Sequence, residues 1–203
     1  MNKLPRSVVI ILAAGLLFLI GVLAYTQLRP YAFHGRLAPA AAPVADFTLV
    51  GPGGAAVKLS DFRGKLTALY FGYTYCPDVC PMTLADLARA LRQLGQRADT
   101  VQVIMVTVDP DRDTPEQLAD YVRRFDPTFI GLSGSAYQIA AAAASLGIYY
   151  QKREGTAATG YLVDHTATIS VLDKEGRVLL VWPFGTLAEE MAADLTEIMR
   201  GNK

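Results

Sequence analysis

The sequence is poor in the side chains that build metal and redox sites. Among 203 residues it has two cysteines, two histidines and one tryptophan. Basic and acidic residues are equal in number at 19 each, and no basic run interleaved with aromatic residues occurs. This balance excludes a nucleic-acid partner from the expected functions. The chain is long enough to bury a stable hydrophobic core without the help of a disulfide bond. This weakens the case for a purely structural disulfide.

An uncharged segment runs from Ser7 to Leu28 near the amino terminus. At about 1.5 Å per residue, its apolar part is long enough to cross a bilayer as a helix. Lys3 and Arg6 precede it, which favours a cytoplasmic amino terminus and an exported body. A cleaved signal peptide is the alternative, because Val22-Leu23-Ala24 resembles a small-residue cleavage site. The apolar run exceeds the usual signal length, so we expect a retained anchor.

Three regions are expected along the chain. Residues 1–28 form a short cytoplasmic amino terminus and a transmembrane helix, residues 29–45 an Ala- and Pro-rich linker, and residues 46–203 a folded body. His34 lies in the linker and is interpreted as a solvated side chain. The amino terminus lacks an arginine- and serine-rich transit segment, so we expect a single-pass protein of the bacterial inner membrane with its body facing the periplasm.

The body alternates strand and helix signals. Leu66–Phe71 and Val101–Val108 are apolar runs typical of strands that are buried on both faces. The first run is followed by apolar residues at helical spacing, and Thr114-Pro115-Glu116-Gln117 offers a capping box for the next helix. Strands at His165–Val171 and Val178–Val181 are predicted to form an antiparallel pair. This order predicts an α/β, thioredoxin-like fold, in which a mixed central sheet is flanked by helices.

Both cysteines lie in the segment YFGYTYCPDVCP, where three residues separate Cys76 from Cys80. The segment follows the carboxyl end of a predicted strand, where open α/β sheets bind ligands. Cys80 stands at a helix start, and unpaired N–H groups there favour the thiolate that redox chemistry and metal ligation both require. A structural disulfide, a redox pair and a metal site all remain open. The spacing is wider than the C-x-x-C of thioredoxin-type oxidoreductases and allows both sulfurs to face one ion.

His165 is the only histidine of the predicted body. It shares one parity with the apolar residues of YLVDHTATISV, so a hydrogen-bonded core residue is one interpretation. In a thioredoxin-like fold, however, the start of this strand lies beside the cysteine loop. Two thiolates and one imidazole form a soft set that suits copper, above all Cu(I), better than Mg²⁺ or Ca²⁺. The set is one ligand short of a structural zinc site.

Two further groups of residues surround these candidates. Asp109, Asp111 and Asp113 lack the glycine and distal glutamate of an EF-hand, so we expect them to serve as turn and capping residues. Several aromatic residues form either an apolar docking rim or part of the core: Tyr70, Tyr73, Tyr75, Trp182 and Phe184.

Three motifs in order, FGYTYCPDVCP, VDPDRDTPEQ and DHT, resemble the SCO/SenC family of copper chaperones for cytochrome c oxidase. The resemblance covers essentially the whole body. It implies that Cys76, Cys80 and His165 bind one copper ion, as Cu(I) or Cu(II). It also implies delivery of copper to the dinuclear copper centre of cytochrome c oxidase subunit II, or reduction of that centre.

The resemblance thus favours a metallochaperone without turnover chemistry of its own. Other periplasmic copper chaperones and thiol–disulfide reductants are further expected partners. The alternative function is a thiol–disulfide oxidoreductase that keeps the cysteines of the oxidase copper site reduced, since metal binding and disulfide exchange share the thiolate state. A peroxidase-like function has no specific support in the sequence.

Overall fold

The computed structural model describes residues 5–39, 44–156 and 160–201. Its contacts divide the chain into two units, Met1–Ala32 and Phe33–Lys203. The first unit contains helix α1, Arg6–Leu28, whose window Arg6–Leu23 has a mean hydropathy of 2.5 and no buried residue. By length and composition α1 could cross a membrane. Lys3 and the other residues of 1–4 lie outside the described residues.

The second unit contains the remaining helices and strands. In chain order these are β1 Arg36–Leu37, β2 Thr48–Val50, β3 Ala56–Lys58, β4 Leu66–Gly72, α2 Val79–Leu94, β5 Val101–Thr107, α3 Pro115–Arg123, β6 Ile130–Leu132, α4 Ala136–Ser145, β7 Tyr150–Arg153, β8 Leu162–His165, β9 Ile169–Leu172, β10 Val178–Trp182 and α5 Ala188–Met199.

The central sheet has the strand order β1-β10-β9-β4-β5-β6. Its half β4-β5-β6 is parallel, and its half β4-β9-β10-β1 is antiparallel. Every residue of β4 and β5 is buried, as expected of apolar strands covered on both faces. Helix α2 packs against α5, and α3 packs against β6. This mixed sheet flanked by helices confirms the predicted thioredoxin-like fold.

Local signals in the sequence place the helix that follows β5. The Thr114 hydroxyl accepts a hydrogen bond from the Gln117 N–H, and the Gln117 side chain accepts one from the Thr114 N–H, both at 3.2 Å. This reciprocal pair is the predicted capping box, and Pro115 occupies the first helical position. The cap fixes where the loop between β5 and α3 ends.

The predicted continuous strand His165–Val171 is wrong. The structure divides it into β8, which pairs with β7 in a separate two-stranded sheet, and β9, which lies between β4 and β10. The Thr166 N–H donates to the Tyr149 carbonyl at 2.8 Å, so pairing with the β7 side continues past His165 before the chain crosses to the central sheet. His165 therefore ends an outer hairpin rather than beginning a central strand.

The segment around His34 is held by the body. Buried Asp194 of α5 accepts hydrogen bonds from the backbone N–H groups of His34 and Gly35, at 3.1 and 3.0 Å, and from the Trp182 indole at 2.9 Å. The His34 ring lies 3.0 Å from the same carboxylate. The His34 side chain is exposed, as predicted, but the segment is part of the body rather than of a linker, because a buried carboxylate holds it at the sheet edge next to β10.

Candidate metal centre

The two cysteines lie at the carboxyl end of β4, in the loop that leads into α2 and in the first turn of that helix. Both are free thiols; Cys76 is half-buried and Cys80 is fully buried. The backbone N–H of Cys80 points at the sulfur of Cys76, at 3.4 Å. The first-turn amide thus acts on the earlier cysteine of the pair, because the loop curls back over the start of the helix.

His165 lies close to both sulfurs. Its Nε2 is 3.6 Å from the Cys80 sulfur, and the three ligand atoms of Cys76, Cys80 and His165 all lie within 4.8 Å of one another. The other ring nitrogen, Nδ1, is 3.3 Å from the Thr166 carbonyl oxygen. A carbonyl can only accept, so we assign the proton to Nδ1, and the Nε2 lone pair faces the sulfurs.

The pKa values of the two thiols are shifted in opposite directions, because each sulfur acts on the other. Interaction with the Cys80 thiol lowers the pKa of Cys76 well below its usual value. Burial opposes this, and contact with the His165 ring and with the backbone N–H groups of Cys80 and Asp78 supports it. The same interaction raises the pKa of Cys80, and burial adds to the effect. The more exposed Cys76 sulfur therefore loses its proton more readily than the buried Cys80 sulfur.

Two tyrosines enclose the histidine and the buried sulfur. The Tyr70 hydroxyl donates a hydrogen bond to the Cys80 sulfur at 3.3 Å, and burial raises the pKa of Tyr70, which keeps this donor protonated. The rings of Tyr70 and Tyr73 meet the His165 ring edge-on, at centroid distances of 6.0 and 6.1 Å. The imidazole is therefore held in one orientation on two sides.

Gly72 is a site residue that the sequence analysis missed. A Cβ atom at this position would lie 3.0 Å from the Cys80 sulfur and 2.7 Å from the Tyr70 ring. A methyl group would fit there only if a neighbour or the strand shifts, because both neighbours are fully buried in a packed core. The signal in the sequence was a glycine that ends an otherwise apolar strand, which marks a close approach of backbone and side chain.

The aspartates of the loop between β5 and α3 bind protein donors. The Asp109 backbone carbonyl accepts hydrogen bonds from the N–H groups of Arg112 and Asp113, which agrees with the predicted turn role. The predicted capping role is wrong, because Thr114 caps α3. The buried Asp113 carboxylate accepts from the Thr74 N–H at 3.0 Å and from the Thr107 hydroxyl at 2.6 Å. Within the described parts of the chain, no carboxylate belongs to a cluster of three metal-ligand groups.

The five aromatic residues considered for a docking rim divide into two groups. Tyr70, Tyr73 and Trp182 are buried and belong to the core. Tyr75 and Phe184 are 54% and 46% exposed. Core packing thus explains three of them, and only the other two retain surface for a partner.

Comparison with known proteins agrees with this geometry. The family model SCO1/SenC matches residues 36–200. The mitochondrial protein SCO2 homolog of Bos taurus is 41% identical over 142 residues, which are 69% of this chain and 53% of that protein. The chain thus spans about half the length of this relative.

Solved structures extend the comparison to the fold. The solution structure of apo Sco1 from Thermus thermophilus has a TM-score of 0.75 and 43% identity, covering 83% of this chain and 98% of that one. Bradyrhizobium japonicum ScoI, solved with copper bound, has a TM-score of 0.70 and 40% identity, covering 77% and 99%. The chain belongs to the SCO1/SenC family.

Proposed function

We propose that this chain is a membrane-anchored copper metallochaperone, which holds one copper ion between Cys76, Cys80 and His165. It delivers that ion to the dinuclear copper centre of cytochrome c oxidase subunit II during assembly. The observation that carries the proposal is the convergence of two sulfurs and one imidazole nitrogen within 4.8 Å. The copper-bound relative from Bradyrhizobium japonicum supports the choice of metal.

The distances and donor types suit one soft ion. Metal–sulfur and metal–nitrogen bonds are about 2.0–2.3 Å long, so ligand atoms 3.6 Å apart are suitable neighbours around one centre. Thiolates favour Cu(I), and an added imidazole also suits Cu(II). The Thr166 carbonyl fixes the tautomer that leaves Nε2 free for the metal. The site can therefore accept copper in either oxidation state.

Uneven burial of the ligands favours transfer by ligand exchange. Cys76 and His165 are partly exposed, whereas Cys80 is fully buried. A thiolate of a partner protein would reach the ion from the exposed side and replace Cys76 or His165 first. Cys80 would release the ion last. Such an exchange needs no turnover chemistry, and periplasmic copper chaperones and thiol–disulfide reductants could load and reduce the site from the same side.

The amino-terminal helix supports a location at a membrane. We propose that α1 is a retained single-pass anchor in the bacterial inner membrane, with Lys3 and Arg6 on the cytoplasmic side and the body in the periplasm. Residues 29–45 would then link the anchor to the body, with Arg36–Leu37 of this stretch paired to β10. Protease accessibility in spheroplasts tests this orientation: the body should be digested from outside.

Copper stoichiometry of the purified chain tests the metal site. We expect one copper ion per chain, and His165→Ala should weaken Cu(II) binding by about tenfold or more, because one ligand is lost. The matched control is His34→Ala, which removes the other histidine and leaves the three ligands intact. If His165→Ala binds Cu(II) as tightly as the unchanged chain, the three-ligand site is wrong.

The lowered pKa of Cys76 favours a second candidate function, that of a thiol–disulfide oxidoreductase acting on the cysteines of the oxidase copper site. This activity requires both cysteines and gives His165 no essential task. Reductase activity toward an oxidised copper-site domain separates the two functions. Loss of activity in Cys76→Ser, with full activity in His165→Ala, would favour the oxidoreductase.

A further inference from the structure

A single arginine joins the cysteine loop to the hairpin that carries His165. Arg112 lies in the loop between β5 and α3, and its guanidinium carbon is 3.7 Å from the ring centroid of Tyr161 and 4.5 Å from that of Tyr75. Tyr75 immediately precedes Cys76, and Tyr161 immediately precedes β8. The guanidinium thus lies between the two segments that supply the metal ligands.

Hydrogen bonds fix this arrangement. Arg112 Nη1 donates to the Tyr161 carbonyl at 3.0 Å, and its Nε pairs with the buried carboxylate of Asp109. The Tyr161 hydroxyl donates to the same carboxylate at 2.6 Å. Arg112, Asp109 and Tyr161 therefore form a closed set, which we call the arginine clamp. Lys152 of β7 pairs with Asp111 of the same loop, so both strands of the hairpin are held there.

The hairpin needs such a clamp to keep its position. Strands β7 and β8 form a two-stranded sheet of their own, outside the central sheet. A lone hairpin is marginally stable in water, so side-chain contacts must hold it against the body. The amide of Val163 donates to the Tyr73 hydroxyl at 3.3 Å, which adds a contact in the middle of β8. His165 is the last residue of that strand, so its position depends on where the hairpin is held.

One nitrogen of the Arg112 guanidinium is buried without a hydrogen bond in the described part of the chain, which is unfavourable. This nitrogen is Nη2, and it has no hydrogen-bond partner among the residues that the structure describes. A buried donor without a partner disfavours this position. The guanidinium stays there because the Tyr161 and Tyr75 rings and the Asp109 carboxylate compensate. A geometry maintained despite an unsatisfied donor points to a positioning task rather than to packing alone.

We propose that Arg112 is a positioning residue that sets the distance of His165 from the two sulfurs, and thereby the relative affinity of the site for Cu(II) and Cu(I). This inference rests on the proposed copper function. Two thiolates already satisfy Cu(I), whereas Cu(II) gains more from the imidazole nitrogen. Release of the hairpin therefore weakens Cu(II) binding selectively.

The test compares Arg112→Met with the unchanged full-length chain in detergent. We expect the affinity for Cu(II) to fall by about tenfold or more and that for Cu(I) by less than about threefold, with weaker nitrogen hyperfine coupling in the Cu(II) resonance spectrum. Arg112→Lys keeps the charge but not the planar fork, so it should restore part of the loss. Arg177→Met, which breaks the pair with Asp173 elsewhere on the body, is the matched control and should change neither affinity.

Equal losses for both oxidation states, or unchanged hyperfine coupling, would overturn the inference. If Arg112→Met does not fold, Tyr161→Phe decides, because it removes only the hydroxyl bond to Asp109 and should shift the Cu(II)/Cu(I) ratio in the same direction. Hydrogen exchange of the metal-free chain gives a separate readout. Arg112→Met should speed exchange at Val163 relative to β5, and unchanged exchange there would count against the clamp. Failure of the unchanged chain to bind copper would refute the proposed function instead.

Discussion

Replacement of Gly72 by alanine tests how tightly the buried sulfur is packed. The added methyl would lie 2.7 Å from Tyr70 Cε1, 3.0 Å from the Cys80 sulfur and 3.0 Å from Met105 Cε. Ordinary contacts need about 3.5 Å, so the sulfur must move by roughly 0.5 Å or the strand must shift. Overpacking of a buried site costs about 1–3 kcal/mol. For a domain of this size that corresponds to a drop in Tm of roughly 2–12 °C.

The same displacement should weaken copper binding, because a metal site tolerates ligand shifts of only about 0.2 Å. Thermal unfolding of the metal-free chain and a Cu(I) titration measure the two effects. The matched control is Gly131→Ala, whose methyl would lie 2.7 Å from the Leu118 side chain, where no proposed copper ligand is touched. It should lower Tm and leave copper affinity unchanged. A Gly72→Ala variant with unchanged Tm and copper affinity would refute the packing argument.

Two further predictions concern the buried sulfur and the carboxylate that holds the His34 segment. Tyr70→Phe removes the hydrogen-bond donor to the buried Cys80 sulfur. The reduction potential of the disulfide that Cys76 and Cys80 form on oxidation should become about 20 mV more negative, because a hydrogen bond worth about 1 kcal/mol no longer stabilises the reduced form. Tyr121→Phe is its control, since that hydroxyl has no hydrogen-bond partner in the described structure. Burial raises the pKa of Asp194, but hydrogen bonds from donors that include Trp182 outweigh it and lower the pKa overall. Asp194→Asn should therefore cost more stability at neutral pH than in acid.

The sign of the Asp194 effect follows from linkage. A carboxyl whose pKa is lower in the folded state contributes stability above its unfolded pKa of about 3.9, and this contribution is lost as the pH falls through the folded value. Thermal unfolding at neutral pH and at about pH 3 checks it. An equal loss of stability in Asp194→Asn at both pH values would contradict this prediction. The Tyr70→Phe prediction would be contradicted by a reduction potential equal to that of the unchanged chain.

Much of the fold was predictable because its signals are local. The runs that became β4 and β5 are mostly apolar and are buried at every position, which is typical of central strands covered on both faces. The capping box at Thr114 is a pattern of four neighbouring residues. The ligand candidates were predictable for a different reason: soft side chains are so few in this chain that Cys76, Cys80 and His165 stood out.

The prediction failed where one strand signal covered two strands. Residues 165–171 alternate as a single strand would, yet they end β8, cross a gap and begin β9. Strand propensity reports burial and packing more than backbone choice, so it could not separate an outer hairpin from the central sheet. The docking of His34 on Asp194 was hidden for a similar reason, since its partner lies 160 positions away in sequence.

The sequence by itself determined the central strands β4 and β5, the capped helix that follows them and the chemical identity of the candidate ligands, because periodicity, caps and side-chain chemistry depend on neighbouring residues. Only the tertiary structure decided that His165 stands on a separate hairpin and that Arg112 joins this hairpin to the cysteine loop. It also decided that Gly72 leaves room for the buried sulfur. These facts depend on which distant segments pack together, and this packing is determined by all the contacts of the core together rather than by neighbouring residues.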